Sequence, residues 1–129
     1  MKLLLASLAI LLVTLCGSCS SSGDDAPAVI FALELHVDVT GDGTVTQVVT
    51  NSPAGGMQTV MNPTLPYSVT TSATPGETVS IQVMGTANTG TVTATIRDDP
   101  ALSQTPSTYA ADTCGPGAAA CDINVSHNF

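Results

Sequence analysis

The pattern closest to a known chemical site is an acidic turn early in the chain. Residues 38–46 read DVTGDGTVT, which resembles the front of a calcium-binding loop, where carboxylate and amide oxygens alternate before a glycine. The third position is Thr40, which has no carboxylate, and the twelfth, where a bidentate acidic ligand closes such loops, is Val49. We therefore interpret the segment as a hairpin turn that uses Gly41 and Gly43 for positive φ, and we predict no metal site here.

Two cysteines near the end of the chain are spaced for a disulfide. Cys114 and Cys121 enclose the loop CGPGAAAC, and a bridge across eight residues would stabilise the fold by about 2.5 kcal/mol in the chain-entropy estimate. A redox pair would instead need Cys-x-x-Cys at the start of a helix. A zinc site would need two more soft ligands, and only His127 is near in sequence. We predict a structural disulfide between these cysteines.

The remaining titratable residues do not form a catalytic pattern. Asp98 and Asp99 precede Pro100, a sequence typical of an exposed turn, although the pair would also suit weak cation binding. His36 falls on the polar side of a predicted strand and is expected to be solvated. His127 falls on an apolar side and is expected to be partly buried. No G-x-S-x-G elbow accompanies the serines and aspartates, so we predict no catalytic residues, no cofactor and no enzymatic activity.

The first residues have the three parts of a secretory signal. Lys2 supplies the positive charge, residues 3–15 form an apolar run, and small residues at 17–18 precede Cys19. The apolar run is shorter than the roughly 20 residues that a membrane-spanning helix needs. The cut resembles the lipobox of bacterial lipoproteins, in which the cysteine after the cut receives a diacylglyceryl group. Cys16 follows a residue too large for that position, so we predict lipidation of Cys19; ordinary secretion with two free thiols is the alternative.

Charge limits the partners of the processed chain. Removal of residues 1–18 leaves Arg97 as the single basic residue against ten acidic ones in 19–129, a formal charge of −9. This balance argues against nucleic acid and against anionic lipid head groups, so the lipid on the tether 19–28 must hold the domain at the membrane. We predict a position in the cell envelope, on the extracytoplasmic side. Ser20 resembles an outer-membrane address where the host has an outer membrane.

From residue 29 onward the polar and apolar residues alternate with the period of β-strands. Valine and threonine dominate, turn residues recur every 8 to 12 positions, and no stretch has the period of a helix. The predicted strands are 29–39, 44–51, 57–62, 67–73, 79–83, 91–96 and 123–129, with a looser segment at 98–117. Residues 29–129 are therefore predicted to form one all-β domain, a small Ig-like antiparallel β-sandwich of about seven strands.

Four short motifs follow one another along these strands. They read VTGDG at 39–43, LPYS at 65–68, GETVSI at 76–81 and VTATI at 92–96. The series resembles V-T-G-x-G, L-P-W-S, G-x-x-V-S-L and V-T-C-x-I of the MmpS proteins, small actinobacterial membrane proteins that accompany MmpL transporters of the RND superfamily in exporting lipids and siderophores. The resemblance spans about residues 33–125, and it implies an Ig-like sandwich and a transporter partner.

The chain departs from the MmpS pattern in two respects. The first cysteine of the family falls at Ala94 here, so a bridge from Cys114 to Cys121 would replace the family's long-range disulfide. The family is usually tethered by a transmembrane helix, whereas this chain would use a lipid.

Two functions follow as hypotheses from different classes. The first is a lipid-anchored, non-enzymatic accessory or binding module, assisting an RND-type membrane transporter or another envelope protein. The second is a structural or adhesive surface lipoprotein without a small-molecule ligand. A contiguous apolar patch or groove on one sheet would favour the first function, and a uniformly threonine-covered surface would favour the second.

Overall fold

The computed structural model describes residues 26–129, and within them every regular element is a β-strand. The described residues contain no helix long and apolar enough to cross a membrane. The strands in chain order are β1 Phe31–Thr40, β2 Gly43–Ser52, β3 Gly56–Met61, β4 Tyr67–Ala73, β5 Thr78–Ala87, β6 Thr91–Asp98, β7 Thr108–Cys114 and β8 Ala118–Asn128.

The strands form two four-stranded antiparallel sheets. The first sheet has the order β4-β1-β6-β7 and the second has the order β3-β2-β5-β8. Alternate side chains of both sheets point inward and bury a core made mainly of valine, leucine and isoleucine. Its largest fully buried side chains are Leu33, Leu35, Ile81, Ile96 and Ile123. The predicted all-β antiparallel sandwich is confirmed.

One strand of the sandwich lies where the sequence suggested a looser segment. β7 covers Thr108–Cys114 and pairs with β6 at the edge of the first sheet. Its residues are mostly exposed or half-buried, because an edge strand at the open rim of a sandwich buries few side chains. Asp112 occupies an inward register position opposite Ala94, which removes the alternation that revealed the other strands. The sandwich therefore has eight strands.

The turn after β1 connects the two sheets, so the predicted hairpin is wrong. β1 belongs to the first sheet and β2 to the second, and the two are not paired. Gly41 has the positive φ of 67° that the sequence suggested, but Gly43 does not. Glycine is needed at position 43 because a side chain would not fit: a Cβ there would lie 2.5 Å from Val39 Cγ1.

The turn between β5 and β6 makes a second crossing at the same end of the sandwich. There Gly90 packs directly on the β1–β2 turn, and a Cβ on Gly90 would overlap the Thr40 carbonyl oxygen and lie 2.9 Å from the Cα of Gly41. The two crossings can therefore touch only because both carry glycine.

Candidate functional site

The predicted disulfide is present and joins the two sheets. Cys114 ends β7 and Cys121 lies in β8, with an S–S distance of 2.05 Å and a Cα–Cα distance of 5.8 Å. Because these are edge strands of different sheets, the bridge fastens one side of the sandwich covalently. The spacing predicted the disulfide, and the structure shows that it joins the two sheets.

The two aspartates of the calcium-like segment accept hydrogen bonds from different partners. Asp38 Oδ1 accepts a hydrogen bond from its neighbour Val39 N at 2.9 Å, whereas Asp42 Oδ2 accepts one from Thr89 Oγ1 at 3.2 Å. Val49, at the position of the closing ligand, lies in β2. Among residues 26–129, no three histidine, cysteine or acidic side chains come close enough to hold a metal ion. Asp42 thus fastens the β1–β2 turn to the turn between β5 and β6.

Asp98 and Asp99 shape the connection between β6 and β7. Asp98 accepts hydrogen bonds from the Tyr109 hydroxyl at 2.6 Å and from Ser107 N at 3.0 Å. These bonds hold the pKa of the Asp98 carboxyl below its usual value, and the same Tyr109 bond raises the pKa of the tyrosine. Asp99 Oδ1 accepts a hydrogen bond from Ala101 N at 2.9 Å. Both carboxylates therefore have local structural partners, in keeping with a turn.

The two histidines lie apart, in different sheets. His127 of β8 is half-buried in an aromatic cluster, with ring centroids 4.7 Å from Phe129 and 5.4 Å from Tyr109. His36 of β1 lies at an outward register position, but its Nδ1 is buried without a hydrogen-bond partner. The expectation of a solvated His36 is therefore wrong for that nitrogen. Its register partners on the neighbouring strands are Ser68 and Thr95.

An ion pair that the sequence analysis did not identify crosses the outer face of the first sheet. Arg97 Nε donates to Glu34 Oε2 at 2.6 Å, and the two side chains are 32% and 10% exposed. The residues are register partners on β1 and β6. Their separation of 63 positions gives no local signal. Glu34 falls on the polar side of the predicted strand 29–39, and Arg97 comes directly after the predicted strand 91–96.

A cleft of about 320 Å³ opens along the free edge of β4. We call it the edge cleft. Ala32 and Ser72 line it from the first sheet, Gly55 from the β2–β3 turn, and Asp99 and Leu102 from the β6–β7 loop. The lining mixes hydroxyl groups with small apolar surfaces, and Leu102 is 75% exposed at the rim. Such a lining suits a ligand held by hydrogen bonds and one apolar contact.

A narrower opening of about 40 Å³ continues from the edge cleft between the two sheets. Thr71 Oγ1 donates to Ser52 Oγ at 2.7 Å, and that oxygen also accepts from Gly55 N at 3.0 Å. These bonds link β4 to β2 and to the β2–β3 turn. Two elements of different sheets therefore hold the β4 side of the edge cleft next to the β2–β3 turn.

The edge cleft offers hydrogen-bonding groups and one carboxylate. Asp99 is the one titratable residue that lines it, and this carboxylate already accepts a backbone hydrogen bond. Acyl or glycosyl transfer would need a nucleophile and a base within hydrogen-bond reach of each other. No such pair is found among the residues that line the edge cleft. The free backbone groups of β4 and the nearby hydroxyls can instead hydrogen-bond an extended chain.

The predicted lipidation site, Cys19, and the leader 1–18 lie outside the described residues. Searches of family models, curated proteins and solved structures found no match to this chain.

Proposed function

We propose that the protein is a lipid-anchored, extracytoplasmic binding module without enzymatic activity. The observation that carries the proposal is the edge cleft, which combines hydroxyl groups, free strand-edge backbone and an exposed leucine in one shallow depression. A cleft with these groups recognises a partner by shape and hydrogen bonds. The motif resemblance to MmpS proteins indicates the kind of partner, an RND-type transporter in the same membrane system.

A photo-crosslinking amino acid at Leu102 tests whether the edge cleft binds a partner. Leu102 lies at the rim, and Asn124, exposed on the outer face of the second sheet, is the matched control position. Irradiation of living cells should yield a specific adduct from position 102 and none from position 124. Thr70→Trp, which places a large side chain in the cleft, should abolish the adduct.

Mass spectrometry of the adduct distinguishes the proposals. An RND-type transporter in the adduct supports the accessory role, and a different single protein supports a binding module with another partner. Equal labelling from both positions, or none from position 102, would refute binding at the cleft.

The alternative function, a structural or adhesive surface lipoprotein, has one observation in its favour. Away from the edge cleft, the outer face of the first sheet carries paired threonines, with Thr40 Oγ1 at 2.7 Å from Thr91 Oγ1 and Thr93 Oγ1 at 3.1 Å from Thr113 Oγ1. The four threonines cover this part of the face with hydroxyl groups and leave no apolar patch among them. Loss of surface adhesion in a deletion strain, with normal export of envelope lipids, would favour this alternative.

The anchor is tested at the cysteine that would carry the lipid. Cys19→Ala should abolish labelling by a radioactive or clickable fatty acid and should stop processing of the leader. A mature N-terminus at another residue, with no acyl mass, would refute the lipidation proposal and leave ordinary secretion.

A further inference from the structure

After Met1, the chain has three methionines, and all of them lie on one surface of the domain. Met57 and Met61 belong to β3 and Met84 to β5, and they are 76%, 61% and 39% exposed. Met57 and Met61 are four positions apart in one strand, so they point to the same side of the sheet. Met61 and Met84 are both register partners of Gln47 in β2. The three side chains therefore share the outer face of the second sheet, and we call this surface the methionine face.

The stability of the sandwich does not account for methionine at these positions. Strands favour β-branched and aromatic residues, and methionine is not among them. The neighbouring outward positions of the same sheet carry mainly polar side chains, such as Asn51, Gln82, Asn124 and Ser126. An exposed thioether removes little apolar surface from water, so it adds little hydrophobic stabilisation. What the methionine face does provide is a set of accessible sulfur atoms.

The fold keeps its core and its other sulfur atoms away from oxidants. Apart from Cys121, the buried apolar residues are leucine, isoleucine, valine and alanine, whose hydrocarbon side chains peroxides leave unchanged. Cys114 and Cys121 are joined in the disulfide, and Cys121 is 4% exposed. A buried methionine would become a polar sulfoxide on oxidation and would disrupt the core, but within residues 26–129 no methionine is buried. Oxidation of the methionine face thus adds polar groups only where water already reaches.

We propose that the methionine face is a site of reversible methionine oxidation that consumes hydrogen peroxide or hypochlorous acid. A lone pair of the thioether sulfur attacks the electrophilic oxygen of the oxidant, so that an S–O bond forms while the O–O or O–Cl bond breaks. Hydrogen peroxide is reduced to water, or hypochlorous acid to chloride and a proton, and methionine becomes methionine sulfoxide.

Methionine sulfoxide reductases reverse this oxidation. Two thiols supply two electrons and form a disulfide, and the sulfoxide oxygen leaves as water. Such repair needs access to the sulfoxide in the folded protein, which the exposure of these side chains provides. The edge cleft lies along β4 of the first sheet, so this proposal does not rest on the proposed function.

Exposure sets the order in which the three methionines react. Met57 is the most exposed and should react first, followed by Met61 and then Met84. If the rate follows the exposed fraction of each side chain, Met84 should react about twofold more slowly than Met57.

Treatment of the purified full-length chain with hydrogen peroxide tests the site. Peptide mapping by mass spectrometry should find sulfoxide at Met57, Met61 and Met84, in that order. The melting temperature should change by less than about 4 °C, because the modified groups lie on the surface. Leu33→Met is the matched control, since Leu33 is fully buried and this exchange nearly conserves volume. The methionine introduced at position 33 should react at least about tenfold more slowly than Met57, because its sulfur is reached only when the core opens.

Repair provides the second readout of the same sample. Two methionine sulfoxide reductases, one for each sulfoxide epimer, with a dithiol should return the folded chain to its original mass. A larger fall in the melting temperature on oxidation, sulfoxides that the reductases do not remove, or equal rates at positions 33 and 57 would overturn the proposal.

Living cells test whether the site is used. Protein recovered after a brief treatment of cells with hypochlorous acid should carry several-fold more sulfoxide at Met57 and Met61 than protein from untreated cells. This sulfoxide should decline once the oxidant is removed. In the Leu33→Met chain from the same treatment, position 33 should remain unoxidised while Met57 and Met61 are oxidised. A sulfoxide content that does not rise on treatment, or that does not decline afterwards, would refute a reversible site.

Discussion

Replacing Gly90 by alanine tests the contact that brings the two crossing turns together. A Cβ at position 90 would overlap the Thr40 carbonyl oxygen and lie 2.7 Å from its carbon. Ordinary contact begins near 3.4 Å, so the Thr40 carbonyl carbon alone requires the two backbones to separate by about 0.7 Å, and the closer carbonyl oxygen requires more. The neighbouring atoms belong to backbone, which cannot turn away as a long side chain can.

The expected cost of Gly90→Ala follows from this displacement. Overpacking of this kind costs about 1–3 kcal/mol, and each hydrogen bond lost at the end of the β1–β6 ladder adds about 1 kcal/mol. The alanine lowers the entropy of the unfolded chain and returns about 0.4–1 kcal/mol. We expect a net loss of roughly 2–3 kcal/mol, which lowers Tm by roughly 10–20 °C for a domain of this size.

Gly115→Ala is the matched control for this substitution. Gly115 has open space around its Cβ position and no positive φ, so the same change should be neutral or stabilise by about 0.4–1 kcal/mol. Thermal and urea unfolding followed by circular dichroism measure both variants. A Gly90→Ala protein within about 0.5 kcal/mol of the parent would refute the reasoning, since the turns would then separate freely.

Three further predictions concern the disulfide, the β6–β7 connection and the ion pair. Cys121→Ala should lower the free energy of unfolding by about 2.5 kcal/mol, and reduction of the parent should lower it by a similar amount in urea titrations. Tyr109→Phe removes a hydrogen bond that holds the pKa of Asp98 low. Because the folded-state pKa lies below the unfolded one, the parent should have a larger free energy of unfolding than Tyr109→Phe above about pH 5. This difference should be lost as the pH falls below about 4. A stability difference that persists in acid would contradict the assignment of this effect to the hydrogen bond between Tyr109 and Asp98. Arg97→Met leaves the Glu34 carboxylate, 10% exposed, without its partner and should cost about 1–3 kcal/mol, most of which Arg97→Met/Glu34→Leu should recover.

The parts of the fold that the sequence predicted are those with strong local signals. β5 and β6 alternate cleanly because one face of each is fully buried, and the spacing of Cys114 and Cys121 in CGPGAAAC is itself a local signal. β7 was missed because it is an edge strand, where Asp112 can occupy an inward position without being buried.

The pairing of strands and the candidate site depend on contacts between distant residues. No local sequence feature distinguishes a turn that forms a hairpin from one that crosses between sheets. The sheet that the chain joins after Gly41 was therefore not predictable. The edge cleft brings together a turn near 55, a strand near 71 and a loop near 100. Glu34 and Arg97 likewise meet only once β1 and β6 are in register.

The placement of Arg97 bears on how the domain withstands proteolysis. The sequence has two basic residues, Lys2 and Arg97, so a trypsin-like protease has one possible cleavage point in residues 26–129. That peptide bond lies within β6, an interior strand of the first sheet, and the arginine side chain is held by Glu34. A protease must bind several residues in an extended, accessible form, so cutting there requires β6 to leave the sheet. Trypsin digestion would therefore report the unfolding of the sandwich, and the folded domain would survive such proteases.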